Sequence, residues 1–131
     1  MSKKQIHTPK APPALGPYSQ AIRVDNLLFL SGQIPLNHLG ELVVGSIEEQ
    51  AKQVFLNIKT IIEAAGGTLD DVIKLSVFLT DMADFEAINK VMMTIFSEPY
   101  PVRTTFAVSS LPKKSPLEIE ALANIESHKQ G

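Results

Sequence analysis

Two runs of strict alternation, joined by a proline- and lysine-rich loop, constrain this chain more than any other feature. The stretch from Pro101 to Ala123 reads PVRTTFAVSSLPKKSPLEIEALA. Period-two alternation with β-branched residues predicts two strands. Ser110 to Pro116 predicts the turn between them, because proline fixes φ and cannot donate to a ladder. Read as a hairpin, the first strand places Val102, Thr104, Phe106 and Val108 on one face and Arg103, Thr105, Ala107 and Ser109 on the other. The second places Leu117, Ile119, Ala121 and Ala123 on an apolar face, with Glu118, Glu120, Leu122 and Asn124 opposite. One arginine and two carboxylates are thereby expected on the face that the apolar side chains avoid.

The rest of the chain supplies what such a hairpin packs against. Residues 1 to 17 are polar and then proline-rich, which predicts an extended tail becoming ordered near Gly16-Pro17-Tyr18. Ser19 to Val24 and Leu27 to Ser31 read as strands around an Asp25-Asn26 turn. The unalternating Leu27-Leu28-Phe29-Leu30 predicts burial on both faces. Leu42-Val43-Val44 is a short strand at best. Ser46-Ile47-Glu48-Glu49 has the form of a capping box. It opens a helix whose apolar stripe runs from Ile47 to Ala65 and stops at Gly66-Gly67. Asp71 to Thr80 alternates as a strand. Asp81 or Asp84 then caps a second helix with the stripe Phe85, Ile88, Met92, Ile95 and Phe96.

At 131 residues this predicts one domain over 1–131, its first 15 residues extended or partly disordered, burying roughly 65–70% of its unfolded surface. The order β-β-(β)-α-β-α-β-β predicts an α/β (α+β) fold, a single mixed sheet with both helices on one face. The other face is then expected to carry Arg103, Thr105, Ala107, Glu118, Glu120, Leu122, Lys74, Ser76 and Phe78. That mixture is too apolar for a solvated face and too charged for a monomer core. It fits a wet contact between copies of the chain, the alternative being a solvated face with incidental ion pairs.

Composition removes several functions. A formal net charge of −2 with scattered basic residues gives no field for a polyanion, which argues against nucleic acid as a partner. There is no cysteine, so disulfides, thiolate catalysis and cysteine zinc sites are out. His7, His38 and His128 are far apart in sequence, and no metal-ligand spacing occurs. No nucleotide-binding glycine motif and no G-x-S-x-G elbow is present. No apolar run approaches a membrane span and no hydrophobic signal core opens the sequence, so the expected location is the cytoplasm.

The remaining candidates each have two readings. Arg103 presents a planar fork that matches a carboxylate, or it is the structural ion-pair partner of Glu118 or Glu120. Glu118 and Glu120 lie two apart on a strand, so each raises the other's pKa and one becomes a usable base, or the pair is neutralised by Lys74 or Arg103. Hairpin counting pairs Arg103 with about residue 122, which puts Arg103 and Glu118 roughly 13 Å apart along the strands. Tyr18 is a lid or hydrogen-bond donor, or an aromatic plug at the core edge. Asn89, beside the apolar stripe of the second helix, needs a polar partner, either structural or a ligand. Lys74 is a Schiff-base candidate, or an ion-pair partner of Glu120.

Six pieces in this order, Gly16-Pro17-Tyr18-Ser19-Gln20-Ala21, Ser31-Gly32-Gln33-Ile34-Pro35, Asn57-Ile58-Lys59 with Ala64-Ala65-Gly66, Val77-Phe78-Leu79-Thr80-Asp81 with Phe85 and Asn89, Tyr100-Pro101-Val102-Arg103-Thr104, and Leu117-Glu118-Ile119-Glu120-Ala121, resemble the RidA/YjgF family of reactive intermediate deaminases. The resemblance runs from about residue 5 to 126. It implies a chorismate-mutase-like fold and a homotrimer with sheets facing inward and clefts between subunits. It also implies hydrolysis of 2-imino and enamino acids, 2-iminobutanoate and 2-iminopropanoate among them, to 2-keto acids and ammonia.

By matching positions, Arg103 is the carboxylate-binding arginine and Glu118 the residue that positions or activates water. Tyr18, Ser31, Gly32 and Thr105 are cleft residues, Gly32 and Thr105 through backbone groups. Thr105 stands where many members carry cysteine, and Val102 where alanine is common. The expected contact at 105 is through backbone, so only a thiol-based role is lost. A 2-imino acid carries one permanent charge beside an electrophilic carbon. Anchoring the carboxylate fixes that carbon, and one carboxylate base is enough to bring water to it, with no cofactor or metal. Two other readings stand beside the deaminase: a regulatory or chaperone-like module that binds small carboxylates without turnover, and RNA cleavage. The acidic balance and the missing basic–aromatic patch speak against RNA.

Overall fold

The Ser46 side chain takes the Glu49 backbone N–H at 3.1 Å, while the Glu49 carboxylate takes the Ser46 N–H at the same distance. This closed capping box starts α1 (Ile47–Ala64). Val54, Phe55, Ile58, Ile61 and Ile62 are buried along its predicted stripe. The helix ends where Gly66 enters the left-handed region at φ +92°, a conformation open to glycine at little cost. The computed structural model describes residues 2–125; His128 and the end of the expected 1–131 domain lie outside them.

The strands are β1 (Lys4–Ile6), β2 (Ala21–Val24), β3 (Leu27–Gln33), β4 (Val72–Leu79), β5 (Val102–Ala107) and β6 (Leu117–Asn124). The second helix, α2 (Phe85–Ile95), lies between β4 and β5. Among the described residues the strands form one six-stranded mixed sheet in the order β1-β2-β3-β6-β4-β5. Both helices pack on one face, where Phe55 of α1 meets Phe96, just past α2, edge to face at 5.7 Å. This is the expected single-sheet α+β architecture. A turn of 3-10 helix, capped by the Asp81 side chain on Ala83 N–H, precedes α2. The proline-rich N-terminus is more structured than a tail, because β1 pairs with β2 along the sheet edge. Leu42 joins Leu36 only in an isolated bridge.

The expected hairpin is not formed. β5 pairs with β4, in parallel, and β6 pairs with β3 and β4, antiparallel to both. β4 therefore separates the two alternating runs. Alternation shows that a segment is a strand and says nothing about its neighbour. The loop between the runs is also longer than the two to five residues of common hairpins, which is enough to pass over one strand.

Register then corrects the face of β5. Arg103 lies opposite Leu75 and Thr105 opposite Val77, and both of those β4 residues are fully buried beneath the helices. Arg103, Thr105 and Ala107 therefore belong to the helix-covered side. The open side carries Lys74, Ser76, Phe78, Glu118, Glu120 and Leu122, as expected, but with Val102, Thr104 and Phe106. The inversion has a physical cause. β5 is an edge strand, α2 lies over its start with a polar side chain, and Val102 and Phe106 stay 65% and 57% exposed in the single chain.

β3 departs from expectation in the same way. Leu28 and Leu30 are buried, while Leu27 and Phe29 are exposed on the open face. Its apolar second face is not covered within one chain.

Candidate active site

The first cleft is made by an irregularity in β3. Between Leu30 and Gln33 the register with β6 shifts: Leu30 faces Ala121 and Gln33 faces Ile119. β3 thus carries one extra residue, a bulge at Ser31–Gly32, which kinks the strand and exposes its backbone. Glu118 of β6 occupies the space this opens. A Cβ placed on Gly32 would lie 2.5 Å from Glu118 Oε2 and 2.8 Å from its Cδ. The carboxylate rests on the glycine, and only the absence of a side chain there permits it.

Glu118 opens into a cleft of about 270 Å³ whose walls include Pro13, Leu15, Tyr18, Ile34 and Leu36. Burial, and secondly the neighbouring Glu120 charge, hold its carboxyl above the usual range. That environment makes the carboxylate a stronger proton acceptor than an exposed one. Glu120 lies on the same face but is exposed.

The cleft wall is a strap that the chain pins by side chains. Gln20, 3% exposed, accepts the Thr8 N–H at 2.7 Å and donates to the carbonyls of Thr8 and Pro12. The Tyr18 hydroxyl accepts the Leu15 N–H at 3.0 Å. On the other wall, buried Asn57 of α1 donates to the Leu36 carbonyl at 2.9 Å. The Ser31 hydroxyl donates to the Ser19 carbonyl at 2.5 Å. Ser31 lines an adjoining cleft shared with Tyr18 and Glu120 rather than the one holding Glu118.

Arg103 lies elsewhere. Its Nη1 donates to Asn89 Oδ1 at 2.7 Å and approaches Met92 Sδ at 3.2 Å, and its guanidinium stands 5.1 Å from the Phe85 ring centre. It faces a second cleft, of about 410 Å³, with Asn89, Met93, Tyr100 and Pro101. Among the described residues Arg103 forms no ion pair, and neither does Lys74 with Glu120. Both structural ion pairs weighed from sequence are therefore set aside. The Thr105 hydroxyl is buried on the same side of β5, without a hydrogen-bond partner among the described residues. No group of three or more His, Asp or Glu side chains among them has metal-holding geometry. No helix among them is long and apolar enough to cross a membrane.

Within one chain the candidate residues therefore fall into two separate groups. Tyr18, Gly32 and Glu118 meet in one cleft; Arg103 and Thr105 stand on the other face of the sheet. Phe78 faces Glu118 and Leu75 faces Arg103. From those partners the two Cα atoms are roughly 14 Å apart, with side chains on opposite faces. A small molecule cannot span that. Sequence reasoning missed the Pro12–Leu15 strap and the pinning Gln20, since proline density signals extension and not location. The residues around Arg103 had a readable signal: Phe85, Asn89 and Met92 fall on one helical stripe.

A family model described as Endoribonuclease L-PSP matches residues 8–125. A protein of Dermatophagoides farinae named 2-iminobutanoate/2-iminopropanoate deaminase is 46% identical over 125 residues, covering 95% of this chain and 98% of that one. The crystal structure of RidA from an Antarctic Psychrobacter is similar at TM-score 0.90 and 48% identity, over 93% of this chain and 99% of the other. A structure of E. coli TdcF with bound serine is similar at TM-score 0.87 and 42% identity, over 92% and 98%.

Proposed function

The chain belongs to the RidA/YjgF family, and from that premise we propose that it hydrolyses 2-imino and enamino acids to 2-keto acids and ammonia. Relatives named for this activity at 46% and 44% identity, each over more than nine-tenths of this chain, support the reading. The observation that carries it is Arg103: a cation held in place by an amide, a thioether and an aromatic ring, with its Nε–Nη2 edge free of described partners. That edge is a fork for one carboxylate.

The two groups become one site if Arg103 and Thr105 of one copy face the Tyr18, Gly32 and Glu118 of another. A homotrimer with sheets facing inward does this, and covers Phe29, Val102 and Phe106. With the substrate carboxylate on Arg103, the imine carbon lies toward Glu118. Glu118 takes a proton from water as the oxygen bonds to that carbon, and the C=N electron pair moves to nitrogen. The proton returns to nitrogen, which leaves a hydroxyl and an amino group on the same carbon. Glu118 then takes the hydroxyl proton and passes it to the amino nitrogen; the C–N bond breaks as the oxygen electron pair forms the C=O bond of the keto acid, and ammonia leaves. The half-buried carboxyl beside Gly32, rather than exposed Glu120, is the residue assigned to this shuttle. The reaction is set in the cytoplasm.

The test is keto acid and ammonia release when a dehydratase generates the imine in the presence of the protein. Acceleration by the wild type, lost in Arg103→Ala, is expected. Normal acceleration by Arg103→Ala refutes the reading. A wild type that binds keto acid without accelerating release is instead a carboxylate-binding module.

A further inference from the structure

The geometry points to Asn89 as a positioning residue whose lack of charge is what keeps Arg103 available to a carboxylate. This rests on the reading of Arg103 given above and goes beyond it. Three side chains of α2, Phe85, Asn89 and Met92, form the cradle of the guanidinium, and none of them carries charge. The usual partner of a half-buried arginine is a carboxylate, which fixes the fork and also cancels its charge. Here the Asn89 amide oxygen, at 2.7 Å from Nη1, helps fix the fork without a carboxylate. The Phe85 ring and Met92 sulfur stabilise a cation without neutralising it. With Nη1 committed to the protein, Nε and Nη2 are left without a partner among the described residues.

Asn89→Asp and Asn89→Ala separate this role from a structural one, because they perturb holding and charge in opposite ways. Asp keeps an acceptor at Nη1 and strengthens the contact; Ala removes it. In the full chain with labelled arginine, rotation about the Arg103 Cζ–Nη1 bond is read by NMR. It is expected to be slow in the wild type and in Asn89→Asp, and fast in Asn89→Ala. Affinity for 2-oxobutanoate, measured by calorimetry, is expected to run the other way. Asn89→Ala loses about five- to tenfold through a less ordered fork. Asn89→Asp loses about a hundredfold, from repulsion between two carboxylates ~6 Å apart at an effective dielectric of about 20. KM for the imine follows the same order, while Tm ranks Asn89→Asp at or above Asn89→Ala.

An affinity order that follows Tm, or variants that bind as the wild type does, overturns the proposal while leaving the deaminase reading intact. A wild type with slow Nη1 rotation that binds no keto acid overturns the carboxylate reading of Arg103, and the neutral cradle's purpose with it.

Discussion

Gly32→Ala isolates the Glu118 carboxylate from the rest of the fold. The new Cβ would sit 2.5 Å from Glu118 Oε2, 2.8 Å from Cδ and 3.0 Å from Cγ, roughly 1 Å inside ordinary contact. Everything it meets belongs to one flexible side chain, so the carboxylate moves and the backbone does not. The φ at Gly32 lies outside the left-handed region, and alanine at such a position stabilises by about 0.4–1 kcal/mol through the unfolded chain. Tm is therefore expected to stay within about 4–8 °C of the parent. The reaction is affected differently. A base displaced by about 1 Å costs on the order of a hundredfold in rate, or about 2.7 kcal/mol in barrier. The assay is kcat/KM for keto acid release from an imine generated in the cuvette, alongside a melting curve. A folded variant within threefold of wild type would show that Glu118 needs no fixed place against Gly32. A variant that fails to fold would show that the backbone is braced there, and the reasoning fails with it.

Glu118→Gln has a signed pH dependence. Burial, then Glu120, hold the Glu118 carboxyl high, so the folded state binds this proton more tightly than the unfolded one. Stability from this group is then present below the unfolded pKa of about 4.3 and is lost as pH rises through the folded value. The variant should melt above the parent at pH 7, lose that advantage near pH 3.5, and have kcat lower by about a hundredfold or more. Gln20→Ala removes three buried hydrogen bonds and should cost about 2–4 kcal/mol in denaturant unfolding, with faster proteolysis between Thr8 and Leu15. Phe106→Glu puts a charge on the exposed apolar side of β5; sedimentation should show smaller particles, and turnover should fall with them. Unchanged size would count against the inward-facing sheets.

The helices were the most legible part of the sequence, because their signals are local. The Ser46–Glu49 box and the stripe ending at Gly66 fix α1 without reference to anything distant. Strand identity was equally local, so every strand after the first was readable in place. Neighbours were not. The placement of β6 between β3 and β4 follows from two helical crossovers, and no residue of the Pro101–Ala123 stretch carries that information. Misplacing one strand inverted the face of another, so Arg103 and Glu118 were expected on one face, roughly 13 Å apart, and stand on opposite faces. Leu27–Leu30 misled for a related reason: an apolar face that is bare in one chain reads like core. Gly32 was readable as a close approach, but not what approached it. Asn89 was readable as needing a partner, and Arg103 is that partner.

The position of β6 also bears on how the protein is made. It is the last of the described strands in chain order, yet it lies between β3 and β4 and joins the two parts of the sheet. Until residues 117–124 arrive, β1–β3 and the β4–β5 pair have no ladder between them, and each presents a bare edge. Closure then requires contacts between segments far apart along the chain, which slows folding. Through that interval the apolar strand Leu27–Leu30 is open to pairing with another chain. A growing polypeptide of this sequence is thus most vulnerable to aggregation once β5 has been made and before residues 117–124 have, when most of the described core residues already exist and the strand that joins them does not.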